Sequence, residues 1–277
     1  MIPTWRDIRF VMTIVRFSEK GTVIDMSIQK GRVSLVTGAG DGLGKAIAVE
    51  LAARGSYVLV QDLNMESAAK TVSIIEDKGG IAAYVEGDVS RMEDCGRFVQ
   101  NALDKWGTLD ILVNNAGIIR DALIHKMTPE QWKDVIDVNL SGVFYCTQAA
   151  VKVMKEKRFG RIINISSIGY IGYRGQANYA AAKAGVVALT RVTASEYAWC
   201  GVTANCVCPG TIATSMALGC MGGGDNWLNY VKENHPMGRP GKPEDVAFMV
   251  SALAAEEAGF INAQTIAVDG GFGRVRL

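Results

Sequence analysis

The sequence predicts an α/β fold built on one doubly wound parallel sheet of about seven strands, with helices on both faces. Three observations predict it. Short β-branched apolar runs alternate with longer helical patterns, a glycine-rich turn joins the first run to the first helix, and no linker divides the chain. Because 49% of the 277 residues are hydrophobic, one large core can be buried, and we expect residues 31–277 to form a single domain.

The apolar runs are predicted as strands buried on both faces, because each is short, continuous and rich in β-branched residues. These strands are Arg32–Val36, Tyr57–Gln61, Ile81–Glu86, Leu109–Val113, Arg161–Ile165, Val202–Val207 and Thr265–Val268. In the first helix Leu43, Ile47 and Leu51 repeat at i, i+4 and i+8, and Asn64 is a candidate N-cap for the second. Right-handed crossovers then bring ligand-binding loops to the carboxyl ends of the strands.

Residues 1–30 are predicted as an N-terminal extension outside the core fold. Their apolar run, Phe10–Val15, is shorter than the hydrophobic region of a secretory signal peptide. Asp7, Glu19 and Asp25 argue against a mitochondrial transit peptide, which is poor in acidic residues. We therefore expect neither type of targeting segment.

The composition argues against several classes of function. The net charge is +1 and no basic block stands out, so no nucleic-acid partner is indicated. No apolar run approaches the ~18 residues needed to span a membrane. There are six cysteines without a Cys-x-x-Cys pair, and two histidines, His125 and His235. This pattern favours buried, reduced thiols in a cytoplasmic protein over a metal site.

The first predicted strand ends in the glycine-rich turn Thr37–Gly44, and a helix follows at once. Such a turn lets the backbone approach a pyrophosphate closely, and the start of the helix supplies free N–H groups. The strict dinucleotide fingerprint fails because Leu43 occupies the third glycine position, and a P-loop fails because Ala46 replaces Ser or Thr. The placement still predicts a Rossmann-type dinucleotide site, with a plain tight turn as the alternative. The predicted contacts are Gly38, Gly40, Asp41, Gly42, Leu43 and Gly44.

Asp62 ends the second predicted strand, 24 residues after Gly38. An acid at this distance can accept hydrogen bonds from the ribose hydroxyls of the adenosine and would repel a 2′-phosphate. Neither Leu63 nor Asn64 is basic, and Asp41 places no cation in the glycine turn. We therefore expect NAD(H) to be preferred over NADP(H). The alternative is that Asp62 caps the next helix.

Tyr179 and Lys183 are spaced i and i+4 in a helical pattern, which puts both side chains on one face. A phenol has a pKa of about 10, and a nearby ammonium lowers it by favouring the phenolate. The phenol can then exchange a proton with a substrate while a hydride moves to or from a nicotinamide. In isolation, such a pair would more often be a solvated helix face.

Two further polar positions are candidates for the same site. Ser166 and Ser167 end the fifth predicted strand, where a hydroxyl could bond a substrate oxygen or merely cap a turn. Asn139 lies in a predicted helix, where asparagine is unfavourable. Holding a water near Lys183 would explain it, and ordinary bonding to the backbone is the alternative.

Together these residues resemble the short-chain dehydrogenase/reductase family, from about Gly31 to Gly273. The resemblance is carried by Thr37–Gly44, Asp88-Val89, Asn114–Gly117, Asn139, Ile165–Ser167, Tyr179-x-x-x-Lys183, Pro209–Thr211 and Asp269–Gly271. It implies a catalytic tetrad of Asn139, Ser167, Tyr179 and Lys183. It also implies cofactor contacts at Leu63, Asp88, Val89, Asn115, Ala116, Gly117, Pro209, Gly210, Thr211, Ile212 and Thr214. Counting along the fifth strand from Gly160-Arg161 gives Ser167 as the family's catalytic serine, whereas counting back from Tyr179 by the family's usual spacing gives Ser166. The strand count is preferred because loops absorb deletions.

Within the family, Gly117–Asp121 and Gly175–Tyr179 are similar to 3-oxoacyl-acyl-carrier-protein and acetoacetyl-CoA reductases. Two features depart from that group, which usually prefers NADPH. Asp62 favours NAD, and Cys200 replaces a basic residue that docks the carrier protein, although Arg158 and Arg161 remain as candidate contacts.

The resemblance implies an NAD(H)-dependent oxidoreductase that acts on a secondary alcohol or ketone, with a 3-oxoacyl thioester as the first candidate substrate. A catabolic secondary-alcohol or 3-hydroxyacyl-CoA dehydrogenase is the second candidate. A non-catalytic NAD-binding scaffold is the alternative from another class. A serine hydrolase is disfavoured because no Gly-x-Ser-x-Gly elbow occurs. The resemblance also implies a homotetramer without membrane contact, which binds an acyl-thioester or other small-molecule substrate.

Overall fold

The computed structural model describes residues 29–215 and 225–272, and these residues form one seven-stranded sheet in which all neighbouring strands are parallel. Its spatial order is β3-β2-β1-β4-β5-β6-β7. The strands are β1 (Val33–Thr37), β2 (Tyr57–Asp62), β3 (Ile81–Glu86), β4 (Ile111–Asn114), β5 (Gly160–Ile165), β6 (Val202–Pro209) and β7 (Thr265–Val268). The predicted α/β class and the Rossmann-type sheet are therefore confirmed.

Helices cover both faces of the sheet. They are α1 (Gly42–Ala53), α2 (Met65–Asp77), α3 (Met92–Trp106), α4 (Pro129–Ile136), α5 (Gly142–Lys157), α6 (Ala177–Tyr197), α7 (Asp225–Asn234) and α8 (Pro243–Ala254). One apolar core joins α1, α2 and α8 to the sheet. A second core joins α3 and α5 to the opposite face, where α6 also packs. This two-sided burial explains why the central strands are continuous apolar runs.

All seven predicted strands form, but β7, at one edge of the sheet, is only partly buried along its whole length, and β3 is not buried on both faces as predicted. Ile81 and Tyr84 are exposed on it. The physical reason is position: β3 is the other edge of the sheet and pairs with β2 alone. The prediction for the start of α2 is confirmed, because the Asn64 side chain accepts a hydrogen bond from the backbone N–H of Ser67 at 3.0 Å.

The predicted N-terminal extension lies outside the described residues except at its end. Gln29 is buried, and its Nε2 donates to the backbone oxygen of Ser251 at 2.7 Å. The packed structure thus includes at least this residue of the segment that was expected to lie outside the core. Within residues 29–215 and 225–272, no helix is long and apolar enough to cross a membrane.

The order of the strands fixes where a ligand can bind. From β1 the chain proceeds to β2 and β3 on one side of the sheet, and then returns to place β4 on the other side of β1. Loops that leave β1 and β4 therefore diverge to opposite faces and open a crevice beyond their carboxyl ends. The glycine turn and the Asn114–Gly117 segment both begin at this crevice.

Candidate active site

A cavity of about 540 Å³ opens at the carboxyl ends of the strands. Most of the predicted cofactor residues line it: Gly38, Asp41, Gly42, Leu43, Gly44, Asp62, Leu63, Asp88, Val89, Asn115, Ala116, Gly117, Tyr179, Lys183, Pro209, Ile212 and Thr214. Ser166 and Ser167 also line it. The structure therefore gathers residues from most of the chain into one wall. Gly40, Gly210 and Thr211, which were also predicted to contact the cofactor, are not among the residues that line the cavity.

The glycine turn packs so closely against its neighbours that residues with side chains cannot take the place of its glycines. A Cβ atom added to Gly44 would lie 2.1 Å from the carbonyl oxygen of Gly38, and one added to Gly38 would lie 2.8 Å from the Cα of Ala116. Gly38 and Gly42 also have φ angles of +60° and +54°, which favour glycine. The Asn115 side chain holds the turn by donating from Nδ2 to the carbonyl of Gly38 at 3.0 Å. The result is a bare backbone cradle at the start of α1, which fits a pyrophosphate.

Asp62 lies in the cavity wall and does not cap α2, which uses Asn64 as its N-cap. Its Oδ2 accepts the N–H of Gly40 at 2.8 Å, and its Oδ1 accepts the N–H of Asn64 at 2.9 Å. These bonds fix the carboxylate at the end of β2, beside the uncharged Leu63. The capping alternative is therefore wrong.

Gln61, which was not predicted as a site residue, also lines the cavity. Its Oε1 accepts the N–H of Gly38 at 3.2 Å, and its Nε2 donates to the carbonyl of Gly87 at 2.7 Å. Gln61 thus ties the glycine turn to the end of β3. The available signal was a buried polar residue in an otherwise apolar strand, since such a residue needs hydrogen-bond partners.

Tyr179 and Lys183 lie on one face of α6, as predicted, and both line the cavity. The Nζ of Lys183 is 5.7 Å from the centroid of the Tyr179 ring. That Nζ donates to the carbonyl oxygen of Ile165 at 2.8 Å. Lys183 is buried, and burial lowers its pKa from the ordinary 10.5 to about 8. The ammonium is therefore close to the phenol and weakly solvated, so its field is felt strongly.

The two adjacent serines differ in what their hydroxyls do. Ser166 is buried, and its Oγ donates to the backbone carbonyl of Lys183 at 2.9 Å. The Oγ of Ser167 accepts the N–H of Gly169 at 3.0 Å. A Cβ added to Gly169 would lie 3.2 Å from that Oγ and 3.5 Å from Cε1 of Tyr179. Ser167 and Tyr179 therefore border the same space, and this geometry supports the strand count that chose Ser167.

Asn139 is buried in a π-helical turn, Asp137–Ser141, between α4 and α5. Its Oδ1 accepts the N–H of Ile118 at 2.8 Å, and its Nδ2 donates to the carbonyl of Ile118 at 2.9 Å. The side chain thus bonds to the backbone, as the alternative interpretation expected. Because Ile118 lines the cavity, Asn139 fixes a piece of its wall.

A buried polar network that the sequence did not reveal lies among the strands below the site. Nδ2 of Asn114 donates to Oδ1 of Asn164 at 2.8 Å, and Nδ2 of Asn164 donates to the Thr190 hydroxyl at 2.9 Å. These bonds connect β4, β5 and α6. They hold the helix that carries Tyr179 in register with the sheet, because a broken buried hydrogen bond would leave a costly unpaired group.

Asp41 connects the two sides of the cavity. Its Oδ2 accepts the hydroxyl of Ser215 at 2.8 Å, and its Oδ1 pairs with Nζ of Lys45 at 3.0 Å. The N–H of Gly42, Lys45 and Ser215 together lower the pKa of Asp41. The charge of Lys45, the residue that follows the glycine turn, is thus partly neutralised by the Asp41 carboxylate.

The candidate carrier-protein contacts behave differently from one another. Arg161 is buried, and its guanidinium donates to the backbone carbonyls of Ala255 and Glu256, both at 3.1 Å. It is therefore unavailable to a partner, contrary to the prediction. Arg158 is exposed and lies beside Trp199, with its Nη2 donating to the Trp199 carbonyl at 3.1 Å.

This sheet, the glycine cradle and the Tyr–Lys pair define a nicotinamide-dependent oxidoreductase. A family model described as Enoyl-(Acyl carrier protein) reductase matches residues 38–273, and the chain belongs to the short-chain dehydrogenase/reductase family. The family binds a nicotinamide cofactor and acts on keto or hydroxyl groups.

Curated relatives are similar over almost their whole length. The chain is 44% identical to a 3-oxoacyl-[acyl-carrier-protein] reductase of Synechocystis sp. over 249 residues, which cover 89% of this chain and 98% of the relative. It is 46% identical to an acetoacetyl-CoA reductase of Rhizobium meliloti over 242 residues, which cover 87% and 98%. Among solved structures, levodione reductase superposes with a TM-score of 0.85 at 32% identity, covering 89% of this chain and 99% of that one.

Proposed function

We propose that this protein is an NADH-dependent reductase that converts the 3-keto group of an acyl thioester to a 3-hydroxyl group. The observation that carries the proposal is one continuous cavity, with Asp62 at one end and Ser167, Tyr179 and Lys183 at the other. The similarity to reductases of 3-oxoacyl-carrier-protein and acetoacetyl-CoA supports the thioester as the class of substrate.

The residues present fit a dinucleotide. The cradle at Gly38 and Gly44 has no room for a side chain, and the first turn of α1 offers backbone N–H groups to a pyrophosphate. Asp62 accepts hydrogen bonds from ribose hydroxyls, and Asp88 and Val89 border the adenine region of the wall. When bound, the nicotinamide supplies the hydride for the 3-keto carbon.

The proton side of the reaction belongs to residues of this chain. Tyr179 gives its phenolic proton to the substrate oxygen as negative charge develops there, and Ser167 donates a hydrogen bond to the same oxygen. The Lys183 ammonium stabilises the resulting phenolate, because it is close to the ring and buried. Asn139 contributes indirectly, because its two hydrogen bonds fix the backbone of Ile118 in the cavity wall.

Electrostatics supports NADH over NADPH. The Asp62 carboxylate is fixed at the end of β2 by two backbone N–H groups, so it cannot swing away from a ribose phosphate without losing both bonds. A like charge at contact distance is unfavourable by a few kcal/mol at an effective dielectric constant of about 20. The Lys45 charge, paired with Asp41, offers little compensation.

The same geometry supports a second candidate function. An NAD-linked enzyme often runs in the oxidative direction, and Tyr179 as a phenolate would then accept the proton of a 3-hydroxyacyl-CoA or simple secondary alcohol. A non-catalytic NAD-binding scaffold is the third candidate. The joint presence of Ser167, Tyr179 and Lys183 in the wall argues against it, because a scaffold needs none of the three.

We further propose a homotetramer in the cytoplasm, as the family resemblance implies. The five cysteines among the described residues are free and buried, in keeping with a reducing compartment. If an acyl carrier protein delivers the substrate, exposed Arg158 is the remaining candidate contact for its acidic surface.

A substrate panel tests the proposal. Acetoacetyl-CoA, an acetoacetyl carrier protein, 3-hydroxybutyryl-CoA and simple secondary alcohols are each followed by absorbance of the reduced cofactor, with NADH and NADPH in parallel. The proposal expects the highest kcat/KM with a 3-oxoacyl thioester and NADH. A preference for simple alcohols with NAD would favour the second candidate, and no turnover with tight NADH binding would favour the scaffold.

A further inference from the structure

A buried histidine bonds to Thr211, in the segment that forms one side of the cavity, and takes no part in the proposed transfer of hydride and proton. His235 follows α7 and is 4% exposed. Its Nε2 is 2.9 Å from the hydroxyl oxygen of Thr211, and its ring stacks on Phe272 with the centroids 4.1 Å apart and the planes at 8°. An imidazole is thus enclosed between a polar partner and an aromatic face.

Thr211 belongs to the segment Pro209–Ser215, which forms one side of the cavity. Pro209, Ile212, Thr214 and Ser215 line the cavity, whereas Thr211 does not. Three backbone bonds hold the segment. The N–H of Gly210 donates to the carbonyl of Val268 at 3.0 Å, and the N–H of Gly241 to the carbonyl of Thr211 and that of Ala213 to the carbonyl of Gly241, both at 2.9 Å. The His235 bond adds a side-chain tie at the same place.

We propose that His235 is a positioning residue for the cofactor. Through its bond to Thr211, the neutral imidazole holds Pro209–Ser215 in the shape that receives the nicotinamide end of NADH, so cofactor binding and the protonation of His235 are coupled. The inference rests on the proposed NADH-dependent function and assigns that site a residue in its supporting layer.

The physical basis is the environment of the ring. A neutral imidazole can accept a hydrogen bond from Thr211 or donate one to it, and in either case it needs no counter-charge. Burial lowers the pKa of His235 below its ordinary value of 6.5. The backbone of Val231 and, less strongly, the charge of Asp269 in the turn after β7 oppose that shift. The exposed Lys232 and Glu233 are the charged neighbours on α7 itself. The neutral form is therefore the one that the packed segment favours.

The sign of the coupling follows from linkage. An imidazolium could also donate to Thr211, but at 4% exposure it would lose most of its hydration, so protonation favours release of the ring from this position. If NADH binds best when the segment is held, it then binds best to neutral His235, and bound NADH lowers the pKa of His235 further. NADH affinity must then fall as the pH falls through the pKa that His235 has in the protein without NADH. A shift of about one pH unit corresponds to about a tenfold loss of affinity at acidic pH.

The chain has two histidines, which makes the direct measurement simple. The exchange rate of each imidazole C2 proton is followed by mass spectrometry from pH 5 to 9, on the full chain with and without saturating NADH. We expect NADH to lower the midpoint of His235 by about one unit and to leave that of the exposed His125 unchanged. Equal midpoints for His235 with and without NADH would overturn the inference.

Two variants at one position separate positioning from general stability. Thr211→Val removes the hydroxyl at almost constant volume and should abolish both the NADH-dependent shift of His235 and the pH dependence of NADH affinity. Thr211→Ser keeps the hydroxyl and should retain both. A shift that persists in Thr211→Val would contradict the proposed coupling. If NADH fluorescence shows no binding to the unaltered protein at any pH, the proposed function fails together with the inference. If NADH binds but does not shift the midpoint of His235, the inference alone is overturned.

Discussion

Replacing Lys183 by Met should make the protein inactive and more stable at the same time. Burial lowers the pKa of Lys183 from 10.5 to about 8. That difference corresponds to about 3 kcal/mol of unfavourable free energy for holding the ammonium charged in the fold at neutral pH. Met has a similar length without the charge, but it leaves the Ile165 carbonyl without its donor, a loss of about 1 kcal/mol. The net expectation is a gain of about 2 kcal/mol at pH 7.

The dependence on pH identifies the cause of this gain. Between pH 8 and 10.5 the folded protein releases the Lys183 proton while the unfolded chain still holds it, so the stability of the unaltered protein rises with pH in this window. The advantage of Lys183→Met should therefore shrink by about 2 kcal/mol between pH 7 and pH 9.5.

The assay is urea unfolding of both proteins at pH 7 and pH 9.5, at one protein concentration. Lys152→Met, at an exposed lysine on α5, is the matched control and should show little change at either pH. A Lys183→Met protein that is less stable than the unaltered one at pH 7, or whose advantage does not change with pH, would refute the argument from burial.

Three further predictions concern specificity, the catalytic serine and the N-terminus. Asp62→Ala should reduce the preference for NADH over NADPH, measured as a ratio of kcat/KM, by about tenfold or more because it removes a fixed negative charge. Ser167→Ala should lower kcat by about a hundredfold or more, whereas Ser166→Ala should mainly lower the midpoint of thermal unfolding, since its hydroxyl bonds the Lys183 carbonyl. Deletion of Met1–Asp25 should leave the unfolding midpoint unchanged and kcat within about twofold of the full chain.

Each of these has an outcome that would contradict it. An unaltered protein that already prefers NADPH would remove the argument from Asp62. A larger loss of kcat in Ser166→Ala than in Ser167→Ala would reverse the assignment of the serine. A large loss of stability on deletion would show that the N-terminal segment belongs to the packed structure.

Most of the fold could be predicted from the sequence because parallel strands that are buried on both faces are themselves continuous apolar runs. The predicted strand Val202–Val207 lies within β6 and Arg161–Ile165 lies within β5, and both of these strands are buried throughout. The burial of β3 could not be predicted in the same way. Ile81 and Tyr84 are large hydrophobic residues typical of buried strands, and only the strand order shows that they lie at an edge.

The candidate site could be predicted where its residues are fixed by local geometry. The i, i+4 spacing of Tyr179 and Lys183 and the position of Asp62 at the end of a strand are properties of short segments. The rest depends on segments that are far apart in the sequence. The buried Arg161 guanidinium donates to the carbonyls of residues 255 and 256. The Thr211 hydroxyl bonds to His235, and Thr211 does not line the cavity. No local pattern contains these contacts.

Comparison of Tyr179→Phe with the unaltered protein tests whether the Tyr179 phenol donates the proton. NADH affinity is measured by fluorescence, and kcat is measured with the best thioester substrate. The substitution removes one hydroxyl and keeps the ring, so a difference between the two proteins reports on the phenol. We predict that the dissociation constant of NADH changes by less than about threefold while kcat falls by about a thousandfold. A kcat within about tenfold of the unaltered enzyme would show that the Tyr179 phenol is not the proton donor.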